Sequence, residues 1–167
     1  MRKSKKIWLT VAVSLILIGS ILFLGVMAVL QWDFTKLSTG RYETNRYDLT
    51  DTVQSISVHT ATAEISFLPS EDGTCAVVCY EKEKAKHTVT LSEGVLHIDG
   101  GDERKWYEHV GINFHTPRVT VYLPTGAYDA LTVNSTTGAI TVAKDFTFED
   151  ITIAETTGFV KNYASAT

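Results

Sequence analysis

The chain has 167 residues, with 15 Lys and Arg against 19 Asp and Glu, five His and two Cys, for a net charge of −4. No basic stripe with interleaved aromatics is present to neutralise phosphates, which argues against a nucleic-acid partner. The charge is also unevenly placed. Beyond Arg2, Lys3, Lys5 and Lys6, the remainder holds 11 Lys and Arg against all 19 acids, a net −8, which suits a soluble surface that resists nonspecific adhesion to anionic envelope polymers.

The first element is the uncharged run from Ile7 to Leu30, bracketed by Trp8 and Trp32 and preceded by the basic cluster in residues 1–6. Twenty-four residues at about 1.5 Å each give roughly 36 Å, enough to cross a hydrocarbon core of about 30 Å with some tilt. The run is too long for the 7–15-residue apolar region of a cleaved signal peptide, although Val26-Met27-Ala28 loosely resembles a cleavage site. The basic cluster keeps the N-terminus in the cytoplasm by the positive-inside rule and sends the C-terminal domain outside. Lys36, Arg41 and Arg46 narrow that margin. Thr10 and Ser14 form a small-xxx-small pair, weak grounds for helix dimerisation in a span that reads as a plain anchor contacting membrane lipid.

Residues 31–50 read as a linker and first strand, and residues 51–167 as a β domain. Period-2 alternation marks Ile56 and Val58, then Ala63, Ile65 and Phe67 stopping at Pro69, then Cys75, Val77 and Cys79 on one face of a strand. Glu81 to Lys86 is an alternating-charge run, expected to form a solvated hairpin tip. Val89 and Leu91, then Leu96 and Ile98 across Ser92-Glu93-Gly94, predict a hairpin; Val119, Val121 and Leu123 run between Pro117 and Pro124.

The last third carries an internal repeat. Leu131-Thr132-Val133-Asn134-Ser135-Thr136-Thr137-Gly138-Ala139-Ile140 aligns with Ile151-Thr152-Ile153-Ala154-Glu155-Thr156-Thr157-Gly158-Phe159-Val160 at a spacing of 20, and a degenerate third copy from Ile56 to Ile65 puts Ala63 in the glycine position. Thr136, Thr137, Gly138, Thr156, Thr157 and Gly158 form the repeat turns, with glycine supplying φ > 0 where the chain reverses and the threonine hydroxyls satisfying backbone groups. Units this small must stack to bury an apolar face. The fold expected is therefore all-β, a β-solenoid or β-roll-like stack of repeats behind one transmembrane helix, with a β-sandwich as the alternative.

Tyr42-Glu43-Thr44-Asn45, Ala63-Glu64-Ile65-Ser66-Phe67-Leu68-Pro69, Cys75-Ala76-Val77-Val78-Cys79-Tyr80-Glu81, Arg104-Lys105-Trp106-Tyr107, Gly111-Ile112-Asn113-Phe114 and the Ser-Thr-Thr-Gly repeat, together with an anchored N-terminus, resemble a bacterial family. Its members are β-strand-repeat envelope proteins catalogued as "putative adhesins", a domain of unknown function. The resemblance covers most of the chain from about Arg41 onward. It implies longer chains with further repeats, so this chain, which stops at Thr167 while entering another turn, reads as a fragment or a short member. Its motifs are structural, so it implies no binding residues.

Cys75 and Cys79 share a strand face roughly 13 Å apart, too far for a disulfide, and are expected to be buried free thiols; an intermolecular bridge or a metal site is the alternative. His59, His87, His97, His109 and His115 lack the close spacing of a zinc motif. The best candidate contact surface is the aromatic-rich loop with Trp106, Tyr107, His109, Phe114 and His115. No nucleophile elbow, phosphate loop or carboxylate-pair motif is present, so no catalytic, cofactor-binding or metal-ligating residues are assigned and no enzyme is expected. The functional expectation is a single-pass membrane protein whose extracytoplasmic β-repeat domain serves binding, adhesion or scaffolding toward an envelope polymer or envelope protein. The alternative is a membrane-tethered accessory of an envelope-stress response, with only about six residues in the cytoplasm to carry a signal.

Overall fold

Leu, Ile and Val with no charge over two dozen residues favour a helix that satisfies its own backbone. The computed structural model, which describes residues 2–37, 41–101 and 115–166, has helix α1 at Arg2–Val29. Its apolar stretch, Lys5–Val29, has a mean hydropathy of 2.6 and is long enough to cross a membrane. Gln31 and Trp32 then take positive φ, 56° and 61°, which ends the helix one residue before the expected Leu30. The Thr10 hydroxyl donates to the Lys6 carbonyl at 3.0 Å, so it is spent on its own helix. The chain falls into two units, one built on residues 1–39 and one holding every strand.

The β unit is organised by three long bent strands. Among the described residues they are β2 (Ser55–Pro69), β7 (Gly126–Val142) and β8 (Phe146–Asn162), and they pair in parallel. Leu131 lies opposite Ile151 and Gly138 opposite Gly158, so the 20-residue repeat is one rung. Ile56 lies opposite Leu131 and Ala63 opposite Gly138, so the degenerate copy is a rung as well, separated from the next by 75 residues of chain.

Parity explains the bend. Ile56, Val58 and Thr60 point inward, Ala61 and Thr62 both point out, and Ala63, Ile65 and Phe67 point inward again. Two consecutive outward residues rotate the strand and let both arms face one core. That core is a single apolar cluster including Ile56, Val58, Ile65, Phe67, Leu131, Val133, Ile140 and Val142. At its edge Tyr128, Phe146 and Phe148 pack with ring centroids 5.6–6.3 Å apart.

The chain does not reverse at the Thr-Thr-Gly positions as expected; it bends and continues in the same strand. Glycine is needed there because rungs approach closely. A Cβ on Gly138 would fall on the Ala63 carbonyl oxygen, and one on Gly158 on the Gly138 carbonyl oxygen. Ala63 keeps its Cβ and faces the core.

The remaining strands cap this stack. The first arm of β2 takes β5 (Val95–Gly100) on its other flank, whereas the second arm takes β6 (Arg118–Leu123), so the sheet forks at β2. β4 (His87–Ser92) forms the expected hairpin with β5, through Glu93 and Gly94 at φ 52° and 77°. β3 (Cys75–Lys82) pairs antiparallel with β6 and with β1 (Tyr42–Leu49), which completes the strand order β1-β3-β6-β2-β7-β8-β9, where β9 is Ser165–Ala166.

Candidate functional site

The alternation that buries Cys75, Val77 and Cys79 in β3 continues to Glu81, which is completely buried. The solvated hairpin tip expected at Glu81 to Lys86 therefore begins later. Glu81 lies inside the strand because its carboxylate has a full set of partners. The Asn45 side-chain amide on β1 donates to Oε1 at 2.8 Å, while the His87 backbone N–H donates to Oε2 at 2.6 Å and His87 Nδ1 stands 2.7 Å from the same oxygen. The other ring nitrogen, Nε2, is 3.1 Å from Thr60 Oγ1 at the bend of β2. Four segments thus converge on one dry polar cluster.

Cys79 belongs to the same cluster. Its Sγ, a Glu81 oxygen and a His87 ring nitrogen lie within 4.8 Å of one another, and all three residues are buried. Burial, reinforced by the Glu81 carboxylate, pushes the Cys79 thiol up to about 12; burial alone pushes Cys75 up to about 11. Both are free thiols, as expected. Burial also raises Tyr47, whose hydroxyl reaches the His87 carbonyl at 3.4 Å. Cys79, Glu81 and His87 together could hold a metal ion.

The cluster was hidden from motif reading because it is split between β3, which carries Cys79 and Glu81, and β4, which carries His87. The signal is parity: Cys79 and Glu81 continue the inward series of β3, and His87 begins the inward series His87, Val89, Leu91 of β4.

The repeat turns lie elsewhere, along one bent edge. Thr62, Thr137 and Thr157 are in register and exposed, and Thr136 and Thr156 are exposed beside them. Inside the same bend, Thr60, Ser135 and Glu155 form an inward polar column. Ser135 Oγ and both Glu155 oxygens are buried and find no hydrogen-bond partner among the described residues. They border an open cleft of about 500 Å³ with His59, Asn134 and Thr156.

Of the candidate contact loop, Trp106, Tyr107, His109 and Phe114 lie outside the described residues. His115 is held by packing: the Tyr42 hydroxyl donates to its carbonyl at 2.9 Å, Tyr80 Oη is 3.3 Å from Nδ1, and the Tyr42 and Tyr80 rings stack at 5.2 Å.

β9 covers only Thr147 and Phe148, which leaves the rest of β8 without a strand neighbour on that side among the described residues. Phe159, Val160 and Tyr163 are exposed there.

A bent parallel stack, capped at one end by antiparallel strands, defines a β-solenoid-like repeat protein. The chain belongs to the Toastrack DUF4097 family, whose model matches residues 53–162. It is similar in structure to a "putative adhesin" from Bacteroides fragilis, at 15% identity and TM-score 0.51, covering 73% of this chain and 55% of that one. A "putative cell adhesion protein" from Clostridium sporogenes aligns at 7% identity and TM-score 0.49, covering 73% and 59%. A further "putative adhesin", from Parabacteroides distasonis, aligns at 11% identity and TM-score 0.43, covering 73% and 56%. The chain thus spans between 55% and 59% of these three solved structures. No curated protein matches it.

Proposed function

We propose that this chain is a single-pass envelope protein, N-terminus in the cytoplasm, that presents its β domain outside the cell and binds an envelope polymer or envelope protein at the polar cleft inside the bend of its long strands. The observation that carries this reading is the cleft bordered by Ser135 Oγ and both Glu155 oxygens, which are buried and find no hydrogen-bond partner among the described residues. The orphaned Glu155 carboxylate offers an acceptor that an incoming donor would satisfy.

The length and hydropathy of α1 and the four basic residues in its first turns, Arg2, Lys3, Lys5 and Lys6, support the tether and its orientation. The names of the solved relatives agree with an adhesive role. The acidic remainder disfavours nonspecific attachment, so binding would depend on fit at the cleft rather than on bulk charge.

The test is cosedimentation of the full chain, in detergent or nanodiscs, with purified cell-wall material and with envelope protein fractions. Glu155→Ala removes the unpartnered acceptor, and Asn134→Lys places charge and bulk in the cleft. At least a tenfold loss of retention in both variants, with unchanged circular dichroism, is expected. Undiminished retention in both would sink the reading.

A further inference from the structure

A carboxylate with no access to water needs a compensating positive charge as well as hydrogen bonds, because its hydration is lost entirely on burial. Glu81 is 0% exposed. Asn45 and the His87 backbone bring only dipoles to it. Lys82, next in the strand, places its Nζ over the Tyr42 ring, 5.9 Å from the centroid; Lys86 forms an ion pair with Glu43 and acts on Glu81 only through its field; and the His87 ring pairs with Glu81 as an ion only when protonated. The side chains gathered around the Glu81 carboxylate with it are His87 and Cys79, and both are metal ligands as well as titratable groups.

We propose that Cys79, Glu81 and His87 form a structural binding site for a zinc-class divalent cation. The donor set is one sulfur, one oxygen and one imidazole nitrogen, which suits a borderline ion with tetrahedral preference and suits calcium or magnesium poorly. Charge balances: a thiolate and a carboxylate neutralise a doubly charged ion, so the site becomes net neutral inside the domain. On binding, the Cys79 thiol proton leaves to solvent as the metal–sulfur bond forms, and His87 gives up its Nδ1 proton as Nε2 takes one up, so that Nδ1 binds in the neutral tautomer whose Nε2–H donates to Thr60 Oγ1, the contact already at 3.1 Å.

The surroundings are those of a built site. Thr60 fixes the imidazole from its far side, and the Asn45 amide holds Glu81 Oε1, leaving Oε2 facing His87. Without metal, a hydrogen bond between Nδ1 and Oε2 occupies this space. Three protein ligands leave a fourth position for water. Because Cys79, Glu81 and His87 are 0%, 0% and 5% exposed, the ion would enter as the domain folds and exchange slowly afterwards.

Cys75 supplies the internal control. It lies on the same strand face, is also a buried free thiol, and is absent from the cluster. The full chain is refolded in detergent with Zn²⁺ or with Co²⁺, desalted, and examined for metal content and for absorption. Expected are about one ion per chain and, with Co²⁺, a near-ultraviolet thiolate charge-transfer band with visible bands of tetrahedral intensity. Cys75→Ser retains these signals. Cys79→Ser and His87→Gln lower metal retention at least tenfold, and Cys79→Ser abolishes the charge-transfer band. Circular dichroism verifies that each variant is folded. Two outcomes overturn the proposal: wild-type protein that refolds with no more than trace metal, or equal metal retention in Cys79→Ser and wild type, which would place the ion on surface groups. The wild-type spectrum decides even if every variant misfolds.

Discussion

The two ends of the β unit solve the same problem with different chemistry. At the β7–β8 end, one apolar plan repeats: inward Leu131, Val133 and Ile140 sit beside Ile151, Ile153 and Val160, and glycine sits on glycine at the bend. At the β1–β3–β4 end nothing repeats, and the interior is closed by Asn45, Cys79, Glu81, His87 and Thr60. The repeat end is held by steric fit and can be extended by another copy of itself. The capped end is held by directional hydrogen bonds among unlike residues, which define one arrangement and give no template for a further rung.

The largest expected break in this contrast is at Gly138. Gly138→Val drives a branched side chain onto the Ala63 carbonyl oxygen, so the β2–β7 pairing must part. We expect a loss of about 4 kcal/mol or more, enough to abolish a cooperative melt by circular dichroism. Gly126→Ala, with nothing within 4 Å of its added Cβ, is the control and should stay within about 0.5 kcal/mol.

Next is Glu81→Ala, which strands the Asn45 amide and two His87 donors in a dry interior. Denaturant unfolding should register a loss of about 3–5 kcal/mol, from buried hydrogen bonds left without their acceptor. Ile140→Val, within the repeat end, removes one methylene and should cost about 0.5–1.5 kcal/mol.

A pH titration sharpens the comparison further. Burial raises Cys75 to about 11 and Tyr128 to about 12, and the Tyr128 hydroxyl donates to the Pro124 carbonyl at 2.6 Å. Both groups are neutral acids whose folded values exceed their unfolded values of about 9 and 10. Their stabilising effect is complete below about pH 8 and is lost as pH rises through 9 to 12. The melting temperature should fall across that window, and less so in Tyr128→Phe. The smallest effect is expected at Glu64, whose pair with Arg118 at 3.2 Å is largely solvated. Glu64→Ala should change stability by less than about 1 kcal/mol.

Legibility in the amino-acid sequence divides along the same line. The rungs were legible because identity recurs: Thr-Thr-Gly at a spacing of 20, and the alignment that put Ala63 in the glycine position matches the observed register of Ala63 with Gly138. The glycines take positive φ as expected, 157° and 155°, but the reversal was misjudged: the strand bends and continues, and carbonyl oxygens of the neighbouring rung also require glycine there. The polar cluster was illegible by spacing because Cys79, Glu81 and His87 meet only once β3 and β4 are folded against the bend of β2. The charge run at Glu81 to Lys86 suggested water, and strand parity, which pointed Glu81 inward, was the better guide.

The pairing of β2 with β7 also sets an order of events. Ser55 meets Ala130, and Phe67 meets Val142, across 75 residues. At about 5–20 residues per second, synthesis delivers β7 roughly 4–15 s after β2. For that interval a strand of 15 residues has one flank without its partner. Closing so distant a contact is slow as well. The nascent chain therefore carries an unpaired apolar ribbon for seconds, and any chaperone that escorts it has β2 as its natural client segment.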